Sequence, residues 1–423
     1  MRFKPMPLLV AVFFSFASPV WAQQPALVPL QPATVGTLAM PGPGGVLTLQ
    51  QAIDRALLDS PALSAARNEA KASDGLLQQA GIIPNPSLDV SVEDQQKATR
   101  TTTAMLSVPI ELGGKRGART EAARLARDVA RLDADATLAD VRASVMAAFF
   151  DVAIAQEHVR VARSARDIAR EALRIASQRV ESGKAAPIER TRAEVEVSNA
   201  RLAESTAQMG LDNARRALAL SWGESAPDFE RVEVSMESLP PRPALDELRN
   251  SLLSSPRMAS GRTTVDLSQA ELEVERTKRI PDITVSAGVA RDNEMGRNRA
   301  QLGISVPLPL FDRNQGNVYA ASMRAYKAQD VYRDMAARST SELLQAASRY
   351  DLAAASAQEY RQAVLPGATK AFDAARKGFE AGKMGYLEVL DAQRALSQGN
   401  VSYLNVLAEA YQARAQIDRI IGR

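Results

Sequence analysis

The 423-residue chain has no cysteine and a single histidine, His158. Without cysteine there are no disulfides, no thiolate nucleophile, no Cys-ligated zinc and no lipid on a thioether. One histidine leaves no His pair for a zinc site and argues against His general-base chemistry. Methionines are scattered, with no thioether cluster for a soft metal. There is no Gly-x-Ser-x-Gly and no phosphate-binding loop, so neither an enzyme nor a bound cofactor nor a resident metal is expected. Positive and negative residues nearly balance, 52 against 49, which offers no polybasic surface to nucleic acid. Past the N-terminal region no segment reaches the ~18 uninterrupted apolar residues of a membrane-spanning helix. Aromatics are only 5% of a chain that is 46% hydrophobic, so Ala and Leu carry the apolar load. That composition points to long, closely packed helices.

What is present begins with an export signal. Arg2 and Lys4 precede an apolar run from Leu8 to Phe16, and Val20-Trp21-Ala22 ends it with small residues at the cleavage-determining positions. This predicts a secretory signal peptide over 1–22, cut after Ala22, rather than an uncleaved anchor. Residues 23–46 are rich in Pro and Gly and are expected to form a solvated tether.

The remainder repeats itself. Ile83-Pro84-Asn85-Pro86 returns as Ile280-Pro281-Asp282-Ile283, and Leu106-Ser107-Val108-Pro109-Ile110 as Ile304-Ser305-Val306-Pro307-Leu308. Glu181-Ser182-Gly183-Lys184 returns as Glu380-Ala381-Gly382-Lys383, and Ser60-Pro61 as Ser255-Pro256. The order is kept and the offsets stay between 195 and 199, so the chain is a tandem duplication. The first repeat spans 47–221 and the second 244–423, with a Pro-rich linker over 222–243.

Each repeat has the same layout. A helix is expected from the Thr48 cap to Gly81, and its counterpart over 244–279. Two alternating segments follow within 86–110 and 282–308. Leu88, Val90 and Val92 alternate with Ser87, Asp89, Ser91 and Glu93, and Leu302, Ile304, Val306 and Leu308 do the same in the second repeat. Period-two alternation over about ten residues marks a strand with one apolar and one polar face. Long helices are then expected over 116–181 and 317–380, returning as 187–221 and 386–421. Leu125, Val129, Leu132, Ala136, Ala139, Ala143 and Met146 step by three and four, a seam whose small residues permit close approach.

Strands of this length and pattern match transmembrane β-strands. Four cannot close a barrel, and an open edge in lipid costs several kcal/mol per unpaired group, so copies of the chain must share one. A soluble four-stranded sheet capping a helical rod is the plainer alternative. A periplasmic coiled-coil adaptor protein is a rival from another class, although two hairpins and four long strands fit it poorly.

The plan resembles the TolC-type outer-membrane factors of bacterial tripartite efflux systems. Ile83-Pro84-Asn85-Pro86, Glu111-Leu112-Gly113-Gly114-Lys115-Arg116 and Pro307-Leu308-Pro309-Leu310-Phe311-Asp312-Arg313-Asn314-Gln315-Gly316 are similar to the heavy-metal, cobalt–zinc–cadmium branch. The resemblance implies an α+β membrane protein: a homotrimer with four transmembrane β-strands per protomer, twelve in all, above a long periplasmic α-helical barrel. It implies an exit duct for heavy-metal cations, with a multidrug or type I secretion channel as the alternative. It also implies a periplasmic adaptor and an inner-membrane RND pump as partners. Many relatives carry a lipidated N-terminal Cys; this chain lacks one, so outer-membrane lipid would hold it by the barrel alone. The resemblance places adaptor docking at the hairpin tips, here Gly183, Lys184, Gly382, Lys383 and Tyr386. It places a periplasmic gate at Glu388 and Asp391, three apart on one helix face, with Glu189 in the matching place of the first repeat.

Overall fold

The computed structural model describes residues 45–94, 96–234, 239 and 241–423. The expected signal peptide and nearly all of the tether lie outside the described residues. Elements run β1 (Gly45–Leu47), α1 (Leu49–Asp59), α2 (Pro61–Ala80), β2 (Ser87–Glu93), β3 (Thr101–Ile110), α3 (Lys115–Glu181) and α4 (Pro187–Leu220). They continue as β4 (Phe229–Val232), α5 (Leu245–Leu253), α6 (Pro256–Thr277), β5 (Ile283–Asp292) and β6 (Arg297–Ser305). The chain ends with α7 (Gln315–Glu359), a π-turn (Tyr360–Val364), α8 (Leu365–Glu380) and α9 (Tyr386–Ile421).

The longest element, α3, has 67 residues and reaches about 100 Å at 1.5 Å per residue. Both α2 and α4 pack along it, and α6 and α9 lie against its other flank. Its buried face is built largely of Ala139, Ala143, Ala153, Ala169, Ala172 and Ala176, which brings the helix axes close. In the second repeat α7 packs against α6 and α9, and α8 continues along α9.

Four expectations need correction. The first helix of each repeat is broken in two, at Ser60-Pro61 and at 254–255. Pro61 and Pro256 each begin a new helix, where the missing N–H leaves nothing unpaired. The end of the expected tether is structured: Gly45–Leu47 pairs in parallel with Phe229–Val232, so the expected linker also contains a strand. Gln156 of α3 completes that small sheet, accepting from Val232 N at 2.8 Å and donating to its carbonyl at 3.1 Å. Lastly, the long helix over 317–380 is interrupted. Pro366 has no N–H for the preceding turn, and the chain widens to a π-turn in which Leu365 N donates to Tyr360 O.

Two large hydrophobic cores form, the first of them built on α3. One joins Leu47, Val145, Phe149, Trp222 and Phe229; the other joins Leu248, Met258, Leu343, Tyr350 and Ile417. Phe150 and Tyr411 stack at 3.7 Å and tie the repeats together. Arg55, 7% exposed, holds the first core's rim by pairing with Glu224 and Asp228, each at 2.8 Å, while lying over Trp222.

Candidate functional site: the sheet wall and the hairpin tips

The strands form one antiparallel sheet in the order β2-β3-β5-β6, so the central pair comes from different repeats. Register puts Leu88, Leu106, Ala287 and Leu302 in one row, and Val90, Ala104, Val289 and Ala300 in another. These apolar rows face outward and are bare in a single copy: Leu302 is 88% and Ile304 74% exposed. The opposite face is polar. Its rows are Asp89, Met105, Gly288 and Gln301; Ser91, Thr103, Ala290 and Arg299; and Glu93, Thr101, Asp292 and Arg297. Ser107 and Ser286 meet across the central pair with hydroxyl oxygens 2.9 Å apart. The outer edges of β2 and β6 have no partner strand among the described residues. An apolar outside, a polar inside and two open edges are the features of a barrel segment that lipid surrounds. No described helix is long and apolar enough to cross a membrane.

At the base of the sheet, Asp282 pairs with Lys115 at 2.7 Å and accepts from Leu112 N at 3.1 Å. Gly113, at φ +70, lets Ile280 pack directly on the backbone; a Cβ there would lie 2.7 Å from Ile280. This joint fixes the angle at which β3 passes into α3.

The far ends of the long helices carry the expected tip residues. Gly183 (φ +69) and Gly382 (φ +72) adopt the left-handed conformation. Lys184 N donates to Arg179 O and Lys383 N to Gly378 O, both at 2.8 Å, while Gly183 N and Gly382 N reach Val180 O and Phe379 O. Both tips are therefore the same Schellman turn, one that needs glycine at its left-handed position. Gly183, Lys184, Gly382 and Lys383 are all exposed.

Tyr386 is placed otherwise than expected. It is 2% exposed and packs with Phe379, ring centroids 6.0 Å apart, among Ala176, Ala193 and Val389. A side chain at the first position of α9 points back toward the turn, and here the turn folds over the junction of both hairpins. Burial, with Glu196 nearby, pushes its phenol up to about 12, so it stays neutral. Its hydroxyl has no hydrogen-bond partner among the described residues.

Of the three carboxylates, Glu388 and Asp391 are exposed on α9, and Glu388 folds back over Gly385 at the helix start. Glu189 occupies the first turn of α4, with one oxygen buried and without a hydrogen-bond partner among the described residues. No ion pair or hydrogen bond joins the three among the described residues. Sequence reasoning missed the contacts that do join the hairpins. Arg394 of α9 pairs with Glu196 of α4 at 3.0 Å, and Arg179 of α3 lies 4.6 Å over the Phe379 ring. A signal was available: Arg394 follows Asp391 by one turn and Glu196 follows Glu189 by two, so each shares a face with a residue already singled out. No cluster of three or more His, Asp or Glu able to hold a metal ion occurs among the described residues.

The sequence profile described as "Outer membrane efflux protein" matches residues 52–224 and 248–423. The chain is 44% identical over 379 residues to the cobalt-zinc-cadmium resistance protein CzcC of Cupriavidus metallidurans, covering 90% of this chain and 91% of that one. It is 29% identical over 304 residues to the nickel-cobalt-cadmium resistance protein NccC of Alcaligenes xylosoxydans xylosoxydans, covering 70% and 68%. Among solved structures, CusC superposes with a TM-score of 0.75 at 16% identity over 88% of this chain and 91% of that one. VceC of Vibrio cholerae does so with a TM-score of 0.74 at 18% identity over 88% and 96%. The fold is thus the α+β architecture of TolC-type channels, and the match through both repeats sets aside a periplasmic adaptor. The chain belongs to the outer membrane efflux protein family.

Proposed function

We propose that three copies close their sheets into a twelve-stranded barrel in the outer membrane, and that the assembly is the exit duct of a tripartite pump for heavy-metal cations. The barrel follows from the sheet: four strands are too few, and the open edges of β2 and β6 need partners in lipid. The cargo rests on one observation, the 44% identity across 90% of the chain with a cobalt-zinc-cadmium resistance protein. A multidrug or secretion channel is the alternative; the curated relatives favour metal. Division into two repeats joined at 222–243 gives each protomer two hairpins, hence six around the tube.

At the tips, Gly183, Lys184, Gly382 and Lys383 offer an exposed ring of backbone and ammonium groups to a periplasmic adaptor, which in turn contacts an inner-membrane RND pump. Tyr386 supports that surface from beneath. Three sets of Glu388, Asp391 and Glu189 would bring carboxylates around the narrowest opening, where they attract cations or hold cationic side chains across a closed gate. With no cysteine to carry a lipid, anchorage falls to the barrel.

The deciding experiment combines fractionation with metal sensitivity. A strain lacking the gene should lose resistance to cobalt, zinc or cadmium, and the protein should migrate as a trimer in unheated gels of the outer-membrane fraction. Recovery as a soluble monomer would sink the duct; a trimer whose loss leaves metal tolerance unchanged would sink the cargo.

A further inference from the structure

The internal duplication allows the contact between copies to be read from a contact inside one copy. Within the chain β3 of the first repeat pairs with β5 of the second. If the ring closes as proposed above, on which this inference rests, β6 of one copy meets β2 of the next by the same joint with the repeats exchanged. The sequence repeat sets the equivalences, Ile83 with Ile280 by 197 and Leu106 with Ile304 by 198, and the hairpin registers agree with them: Leu88 lies opposite Leu106, and Val285 opposite Ile304. Gly114 (φ +76) and Asn314 (φ +59) are the left-handed residues directly before α3 and α7, so Lys115 corresponds to Gln315.

We propose that copies of this chain join with Val90 opposite Ile304, Val92 opposite Leu302 and Asp89 opposite Ser305, and that Asn85 and Gln315 close the base of this seam. Each half of the mapping carries weight. Ser107–Ser286 becomes Ser305–Asp89, in which a hydroxyl donates to a carboxylate. Asp282–Lys115 becomes Asn85–Gln315, so a charged pair within the chain is exchanged, on both sides at once, for two amides between chains. Ile280, packed on Gly113 inside the chain and 46% exposed, becomes Ile83, which is 65% exposed in a single copy. Gly113 maps on Arg313, and the segment leading to it, Leu308, Leu310 and Phe311, is exposed as well, Phe311 at 91%. Both sides of the seam therefore carry apolar residues more exposed than their counterparts inside the chain, Ile83 against Ile280 and Leu308 at 75% against Ile110 at 45%.

The change of chemistry sorts the joints. A carboxylate and an ammonium make a bond about twice as strong as one between neutral groups. Asp282 therefore selects Lys115 of its own chain over Gln315 of a neighbour; in a single copy the Gln315 amide accepts from Arg313 N at 2.9 Å and donates to Phe311 O at 3.4 Å, and it exchanges these local bonds for Asn85 when a second copy arrives. Partner choice of this kind works by mismatch as much as by attraction. It also makes the seam between copies the weaker of the two joints at the base.

The absence of native cysteine makes the test clean. S107C with S286C serves as the standard: a disulfide within one chain, with no interchain product. D89C with S305C should lose the monomer band after oxidation and yield a covalent trimer in heated, non-reducing gels. D89C with G303C, displaced by one pleat, should not. Both D89 and S305 are exposed in a single copy, so neither change disturbs a core. For the base, N85D and Q315K together should raise the temperature at which the unheated trimer dissociates above that of either single variant. A parent that runs as a trimer while D89C/S305C gives no interchain product, or D89C/G303C gives as much, overturns the register. Purely additive effects of N85D and Q315K overturn the amide joint. A parent that never forms a trimer removes the duct itself.

Discussion

The Arg394–Glu196 bond offers the sharpest test of how the tips stay together. It joins α9 of one hairpin to α4 of the other at 3.0 Å, with the Glu196 side chain 15% exposed and that of Arg394 58%. A fully exposed pair would contribute ~0–1 kcal/mol, and a hydrogen bond to a buried charge ~1.5–3 kcal/mol. Discounted for the solvent around Arg394, about 1 kcal/mol per protomer is the reasonable magnitude. Arg394→Ala also strands a largely buried carboxylate near Tyr386, which works in the same direction. Three tips acting on one opening would sum to about 3 kcal/mol, a shift on the order of a hundredfold toward the open state at ~1.4 kcal/mol per tenfold. Purified channels in planar bilayers should therefore show R394A conducting far more of the time than the parent. Cells carrying it should become sensitive to large antibiotics that the outer membrane excludes. The exchanged variant R394E/E196R should return toward the parent. If R394A and E196A both conduct like the parent, the bond does not hold the tips closed and the reasoning fails.

Other consequences can be measured directly. A Cβ at Gly288 would sit 2.3 Å from the Ala104 carbonyl oxygen, so G288A should break the β3–β5 pairing and abolish the heat-resistant assembly. G303A, whose new atom meets Ser286 at 3.8 Å, should assemble normally in the same unheated gel. Tyr386→Phe removes a buried hydroxyl that has no partner among the described residues and should leave thermal stability unchanged or raised by up to ~1 kcal/mol; a clear loss would mean the hydroxyl is bonded. Burial holds His158 below its ordinary value of 6.5. The unfolded chain therefore takes up the proton first, and stability present above that value is lost as pH falls through the window beneath it. H158Q should flatten the melting temperature between about pH 7 and 5, and an unchanged slope would exclude His158 as its source.

The long elements were legible because their patterns are long. Some nineteen turns of α3 repeat one seam, and α9 was bounded correctly by Tyr386 and Ile421 because Gly385 and Gly422 flank it. Strand faces were equally plain, since Leu88, Val90, Leu302 and Ile304 hold one parity throughout. What failed was short or non-local. β1 and β4 have three and four residues, too few for any period to emerge, and Gly45 pairs with Phe229 from far along the chain. Pro61 reads the same whether it bends one helix or starts another. At the tips, Glu388 and Asp391 could be found by spacing, but Arg394 finding Glu196 is a property of how two hairpins pack. Tyr386 was placed at the docking tip by resemblance and by its position just after the turn, and only the meeting of four helix ends buries it.

The π-turn before Pro366 makes the two hairpins mechanically unlike. In the first repeat α3 is a single strut, hydrogen-bonded through all 67 residues. In the second, the corresponding strut is spliced at 360–364, with Gly367 just beyond. Bending a regular helix strains every bond along it, whereas a widened turn concentrates the deformation in one place. A lateral load shared between the two tips therefore flexes the α8–α9 arm and leaves α3–α4 as the fixed post. Compliance in this tube is written into one of its two hairpins.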